Sequence, residues 1–203
     1  MNAATSNAEP LCATCKKMKN LLSGFLLLVS VNSFSQIADT LAIKKQLELI
    51  LDRDQKTRTR GDSSSFVKFI DSSNLVQVEA LIAKYGWLGK SFVGEQGNNT
   101  IFLVIQHSDL ATQEKYFPML KNSVVNKESR ASDLALLEDR ILMRQGKKQV
   151  YGSQVVRDES SGGWKFSPIE DEKNVNLRRQ KIGMQPLDEY AKYFGIVYKL
   201  PNQ

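Results

Sequence analysis

Residues 131–146 read ASDLALLEDRILMRQG, and one carboxylate in this stretch governs how the rest of the chain must fold around it. The pattern predicts an amphipathic helix, with Ser132 as a candidate cap and Gly146 as the stop. Projected at about 100° per residue, Ala135, Leu136, Leu142 and Met143 share one arc, and Asp139 falls in the middle of it. Arg140 lies on the next sector, between Leu136 and Leu137. A charge among aliphatic neighbours is costly unless it is paired and hydrogen-bonded. Asp139 therefore calls for a specific partner elsewhere in the fold, and the lone imidazole, His107, or a nearby guanidinium is the expected one.

Working toward the N-terminus, helical patterns dominate. TLAIKKQLELILDRDQKTRTRG, starting at Thr40, places Leu41, Leu47, Ile50 and Leu51 at helical spacing and is broken by Gly61. A second helix is expected from a cap at Asp71, Ser72 or Ser73 to a stop at Gly86, with Leu75, Val78, Leu81, Ile82 and Tyr85 as its apolar stripe. Residues 86–99, GWLGKSFVGEQGNN, hold four glycines and predict a loop. Ile101–Ile105 fits either a helix or a buried strand, because every position is apolar, and helix is the favoured reading. DLATQEKYFPMLKNSVVN predicts a helix kinked or interrupted at Pro118.

Toward the C-terminus the pattern changes. KKQVYGSQVV and WKFSPI flank the turn-rich RDESSGG and predict a short hairpin. EDEKNVNLRRQKIGMQPLDEYAKYFG returns to helical turns, with Pro186 favourable at the start of a terminal helix. The fold class expected is mainly α (α+β): a single helical domain over 36–203 with a small β-hairpin near the C-terminal third.

The 203 residues are 41% hydrophobic and 25% charged, which is ordinary for a globular chain. A net charge of +6 is spread over short pairs such as Lys147-Lys148 and Arg178-Arg179, without the interleaved aromatics of a nucleic-acid groove. No nucleic-acid partner is expected. Lys16, Lys17 and Lys19 precede the apolar run Leu21–Val31, and Ser33 and Ser35 then fill the −3 and −1 positions of a signal-peptidase site before Gln36. A spanning helix needs about 20 apolar residues, so a cleaved leader over 1–35 and a periplasmic or secreted domain are expected. Met18 is an alternative start. Cys12 and Cys15 precede the apolar run and leave with the leader, so the mature chain has neither a disulfide nor a cysteine metal site.

DSSN (71–74), GW (86–87), IQHSD (105–109), LEDR (137–140), GKKQVYGSQ (146–154), SPIED (167–171), VNLRR (175–179) and GMQPLDEY (183–190) are together similar to a bacterial family catalogued as domain of unknown function 6624. The similarity runs from DRDQKTR (52–58) onward. It implies no activity. It does single out polar positions: Gln106, His107 and Asp109; Asp139 and Arg140; Gln149, Tyr151, Gly152, Ser153 and Gln154. Two departures are Leu88, where the family has proline after glycine-tryptophan, and Ser153, where it has threonine.

His107 is the natural general acid or base, because its unperturbed pKa of about 6.5 lies near neutrality. The catalytic hypothesis groups His107, Asp139, Arg140 and Tyr151, with Gln106, Asp109, Gln149, Gln154, Arg178 and Arg179 binding a small polar or anionic substrate in a hydrolase or lyase. The structural alternative makes the same residues a hydrogen-bonded network inside a non-catalytic binding domain of the cell envelope. Phosphate-loop, dinucleotide and nucleophile-elbow motifs are absent. A single histidine disfavours zinc. No cofactor or metal is expected, and a monomer is expected.

Overall fold

The computed structural model describes residues 39–201; the leader expected over 1–35 lies outside them. The chain divides after Ile43. Of the first unit only 39–43, the opening turn of helix α1, is described, and every other described residue belongs to the unit from Lys44 onward.

Helix α1 covers 39–59. Its inner stripe is Leu47, Ile50, Asp54 and Thr57, all buried, at the three-and-four spacing that puts side chains on one helix face. The apolar stripe thus ends in a carboxylate and a hydroxyl. Helix α2, Ser64–Tyr85, starts earlier than the sequence suggested, because the Ser63 hydroxyl accepts the Phe66 amide and caps it there. Asp71 is therefore a mid-helix residue. Gly86 ends α2 as expected, and Val78, Leu81 and Ile82 are buried while Tyr85 is exposed.

Helix α3, Lys90–His107, corrects the loop expected over 86–99. Only Gly94 departs from helical geometry, with φ 80° and ψ 169°, and it joins two helical pieces at a kink. Gly97 is a packing residue: a Cβ there would lie 3.2 Å from Leu47 Cδ1 of α1 and 2.8 Å from Val93 Cβ. Asn98 is buried, and its side-chain amide donates to the Leu88 carbonyl at 2.9 Å. Glycine and asparagine here serve close approach and backbone satisfaction inside a helix, which composition does not separate from a loop. Ile101–Ile105 is helical and supplies the centre of the core with Phe102 and Val104.

Helix α4, Leu110–Val125, runs through Pro118 without interruption, since Pro118 faces solvent and water can solvate the carbonyl that loses its donor. Helix α5, Ala131–Arg144, packs on α4 and α3. Its cap position is Arg130 rather than Ser132. Ala135, Leu137, Asp139 and Ile141 are its buried residues toward the C-terminal end, whereas Leu136, Leu142 and Met143 are half-buried. The helix is packed on more than one side, so a single arc does not describe it.

The hairpin is shorter than its sequence pattern. Strands β1, Val155–Arg157, and β2, Trp164–Phe166, pair antiparallel with Val156 opposite Lys165. Residues 149–154 form a loop in place of the expected strand extension, bonded to the segment after β2 through an isolated bridge from Gln149 to Ile169 and through the Ser167 amide on Gln154 O. Helices α6, Val175–Lys181, and α7, Leu187–Ala191, come next, with Pro186 immediately before α7. They close a second small core of Ile169, Val175 and Leu187, flanked by Phe166, Tyr190, Tyr198 and Leu200. The architecture is a helical domain with a small hairpin in its C-terminal third. No described helix is long and apolar enough to cross a membrane.

Candidate functional site

Asp139 has no solvent exposure, and its partners are backbone amides. Val150 N–H donates to Oδ1 at 2.7 Å, Tyr151 N–H to Oδ1 at 3.0 Å and Oδ2 at 3.2 Å, and Ser153 N–H to Oδ2 at 2.9 Å. Converging main-chain amides form a concavity that stabilises an anion. This corrects the expected pairing of Asp139 with His107 or a guanidinium: an imidazole is not needed where three amides already converge on the carboxylate.

The same loop is held from its carbonyl side by cations and a phenol. Arg178 Nε donates to Val150 O at 2.8 Å, Arg179 Nη1 to Tyr151 O at 2.7 Å, and the Tyr190 hydroxyl to Ser153 O at 3.1 Å. Gln149, fully buried, staples the loop ends: its Nε2 donates to the Gln154 and Ser167 carbonyls, and its Oε1 accepts the Gln154 amide. Gly152, at φ 68°, packs where a Cβ would lie 3.0 Å from methyls of Ile169 and Leu187, so the loop requires glycine there. Gln154 passes the network back to the helices, accepting from Arg140 Nε at 3.0 Å.

Arg140, Arg144 and Gln113 gather at the C-terminus of α3. Arg140 Nη1 and Gln113 Nε2 donate to Gln106 O, and Arg144 Nη1 and Gln113 Nε2 to Ser108 O. The last carbonyls of a helix lack intrahelical donors and carry the negative end of its dipole, which accounts for two arginines meeting there. Burial first, then the neighbouring Arg144 and Arg58 charges, against an opposing effect of Tyr190, pull Arg140 down to about 10. It stays cationic at neutral pH. Asp109 caps α4 by accepting the Thr112 amide at 2.8 Å.

His107 stands apart from the Asp139 loop and has its own carboxylate. Its Nδ1 is 3.0 Å from Asp54 Oδ1, and the Arg58 Nε lies 3.5 Å from its Nε2. Arg58 Nη2 also bonds Asp71 Oδ1 at 2.8 Å and lies 3.3 Å from Asp54 Oδ1. The Asp54 side chain is 2% exposed and that of His107 18%, so the carboxylate is sealed behind an imidazole that solvent can reach. With Asp54 accepting, Nδ1 carries the hydrogen and Nε2 presents its lone pair. Burial would raise the Asp54 carboxyl, but the His107 hydrogen bond and charge and the Arg58 guanidinium outweigh it and hold Asp54 below its ordinary value.

Asp54, Asp71 and His107 bring one ligand atom each within 4.8 Å of one another. The positive charge among them is the Arg58 guanidinium, and a metal ion would have to displace it. Tyr151 is half-buried, and burial, then the Glu138 and Asp139 charges, raise its phenol, which makes it a poorer proton donor at neutral pH. The expected quartet thus divides: Asp139, Arg140 and Tyr151 belong to the loop network and the α3 terminus, and His107 to a separate cluster. Asp54, Arg58 and Asp71 were not identified from the sequence. The available signal was Asp54 continuing the Leu47–Ile50 stripe, with Arg58 one helical turn further on.

Because its folded pKa is lowered, Asp54 contributes stability that is present above the unfolded carboxyl value of about 3.9 and is lost as pH falls through the folded value. Asp54→Asn keeps an acceptor for His107 but removes this titration. Urea midpoints measured from neutral pH downward are expected to converge for Asp54→Asn and the wild-type chain as the pH drops below about 4. A pH-independent gap between them would contradict the coupling.

These residues lie within or directly beside the part of the chain that identifies it: residues 55–202 match a family of unknown function, DUF6624, and the chain belongs to that family. No curated protein and no solved structure matches the chain.

Proposed function

We propose that this is an exported domain in which His107 performs acid–base chemistry on a small polar or anionic substrate, as a hydrolase or lyase. The observation that carries the reading is the Asp54–His107 pair: a buried carboxylate fixes the imidazole tautomer and directs the Nε2 lone pair to the Arg58 Nε–H at 3.5 Å, so Nε2 would take a proton once Arg58 turns to the substrate. A carboxylate in that role stabilises the imidazolium formed during reaction. In hydrolysis, Nε2 would take the proton of an attacking water and return it to the leaving group. Arg58, whose side chain is 26% exposed beside His107, is the group placed to receive an anionic substrate oxygen, with the Arg140 and Arg144 charges adding attraction. Export rests on the leader pattern of residues 16–35.

The test is turnover by the mature chain of a panel of nitrophenyl carboxylates, nitrophenyl phosphates and small amides. His107→Ala is expected to lower any turnover by about 10²–10⁴-fold with the circular-dichroism spectrum unchanged, and Asp54→Asn to lower it by a smaller factor. Turnover that survives His107→Ala would refute the assignment.

A second reading, a non-catalytic binding domain of the envelope, is favoured by one specific observation. Asp139, Gln149, Gln154, Arg178 and Arg179 all direct polar atoms into the fold itself, and Asp109 is spent on capping α4. On that reading the whole panel stays inert while a ligand still raises the melting temperature.

A further inference from the structure

A second site lies where α2 ends, α3 begins and α4 ends. A cleft of about 500 Å³ opens there, with Tyr85, Trp87 and Met119 among its apolar lining and Ser91, Asn122, Asn126 and Glu128 among its polar lining. Small-molecule sites usually occupy about 300–1,000 Å³. None of the residues named for the proposed chemistry is part of this lining.

The cleft is built by backbone geometry. Gly86, at φ 73° and ψ −167°, turns the chain out of α2 through a conformation closed to other residues. Helix α4 ends with Glu128 N–H on Ser123 O and Lys127 N–H on Val124 O, the paired bonds of a Schellman motif. The left-handed C′ position is Lys127, at φ 61°, where glycine is usual. This exit carries Glu128 over Gly89: its Oε2 accepts the Ser91 amide at 2.9 Å, its carbonyl accepts the Lys90 amide at 2.9 Å, and a Cβ on Gly89 would lie 2.3 Å from Oε2. On the other wall, the Trp87 indole N–H donates to Ser129 Oγ, which also bonds Ser123 Oγ. Indole and carboxylate are therefore held in place before any ligand arrives.

We propose that this cleft binds a neutral, hydroxyl-rich ligand, a saccharide. The Trp87 indole, together with the Tyr85 ring that Lys84 Nζ approaches to 4.8 Å and Phe92 to 6.1 Å, supplies surface for the C–H face of a sugar ring. Asn122, in the last turn of α4, and Asn126, the C-cap residue four positions on, are exposed and make no side-chain hydrogen bond within the described structure. Each offers an acceptor and two donors, the mixed pattern that vicinal hydroxyls satisfy. Glu128 Oε1 adds an acceptor for a hydroxyl. No lysine or arginine lines the cleft, which disfavours an anion. A lone carboxylate already engaged by an amide is a poor counter-charge for an amine.

The probes are N-acetylglucosamine, chitobiose, maltose and cellobiose, with choline and a sugar phosphate as charged controls, added to the ¹⁵N-labelled mature chain. At least one neutral sugar is expected to shift the Trp87 indole and the Asn122 and Asn126 side-chain amide resonances saturably, at about millimolar affinity. Asn122→Ala/Asn126→Ala, changed only at exposed positions, should weaken that binding at least about 10-fold, equivalent to about 1.4 kcal/mol, while His107→Ala binds as the wild type does. The proposal falls if no neutral sugar shifts these resonances, if the double asparagine variant binds unchanged, or if choline or the sugar phosphate alone binds.

Discussion

Asp139→Asn is expected to destabilise the domain by roughly 3–5 kcal/mol, measured as the loss of unfolding free energy in urea at neutral pH. The substitution is nearly isosteric, so the effect is not one of volume. Asp139 accepts four hydrogen bonds from three amides with its two oxygens. An asparagine keeps one oxygen and turns an N–H₂ group toward amides that are themselves donors. Hydrogen bonds to a charged acceptor contribute about 1.5–3 kcal/mol each, and each buried donor left unmatched costs about 1–3 kcal/mol. Against a total stability of about 5–15 kcal/mol for a domain, the variant should be marginal. Hydrogen exchange at Val150, Tyr151 and Ser153 should accelerate before the helices open. A loss below about 1 kcal/mol would mean that water or a neighbouring carbonyl replaces the missing oxygen.

The position of Asp139 was legible in the sequence and its partner was not, for a physical reason. A carboxylate on an apolar stripe signals compensation, whatever supplies it. Side-chain partners leave a trace in residue identity, but backbone amides are carried by nearly every residue, and only their convergence makes a binding site. The traces left by this loop were indirect: Gly152 for a left-handed turn, and glutamines at both ends. The same rule applied to α1 would have found Asp54, which comes after Leu47 and Ile50 on one face. His107 was legible as a reactive group because it is the single imidazole. Its partner was obscured by distance in sequence, since Asp54 lies 53 positions earlier.

The fold was legible where a periodic stretch met a glycine stop, as at Gly146 after α5 and at Gly86 after α2. It was misread where a residue type has two uses. Ser63 and the Asp71–Ser73 run are all competent caps, and choosing between them needed the apolar pattern between 66 and 70, which is irregular because Phe66 and Phe69 are exposed. In α3, Gly97 is chosen for closeness to α1 and Gly94 for a kink. Both look like loop formers in isolation. Strand length was overestimated because KKQVYGSQVV has the composition of a strand, while its central residues are drawn away from the ladder by Asp139 and the arginines.

Arg179→Ala should be the second most damaging single change, at roughly 3 kcal/mol or more. The side chain is fully buried and makes no ion pair among the described residues; Nε donates to Gln185 O at 2.6 Å and Nη1 to Tyr151 O at 2.7 Å, with the guanidinium 4.9 Å from the Tyr190 ring centroid. Alanine would leave a cavity and two carbonyls without their donors. Arg179→Met should be milder by at least about 1 kcal/mol, because it refills the volume and also removes a desolvated charge and the unpartnered Nη2. Burial lowers the Arg179 pKa, while the Tyr190 and Asp139 charges act to raise it. The Asp139 charge thus acts in favour of the guanidinium, which bonds the carbonyl of the same Tyr151 whose amide bonds Asp139. In the Asp139→Asn background that attraction is gone, so Arg179→Met should cost less than it does in the wild type, with a coupling energy of about 1 kcal/mol or more in a double-mutant cycle. Strict additivity of the two changes would show instead that each side chain acts on the loop alone, through its own hydrogen bonds, with no charge communicated between them.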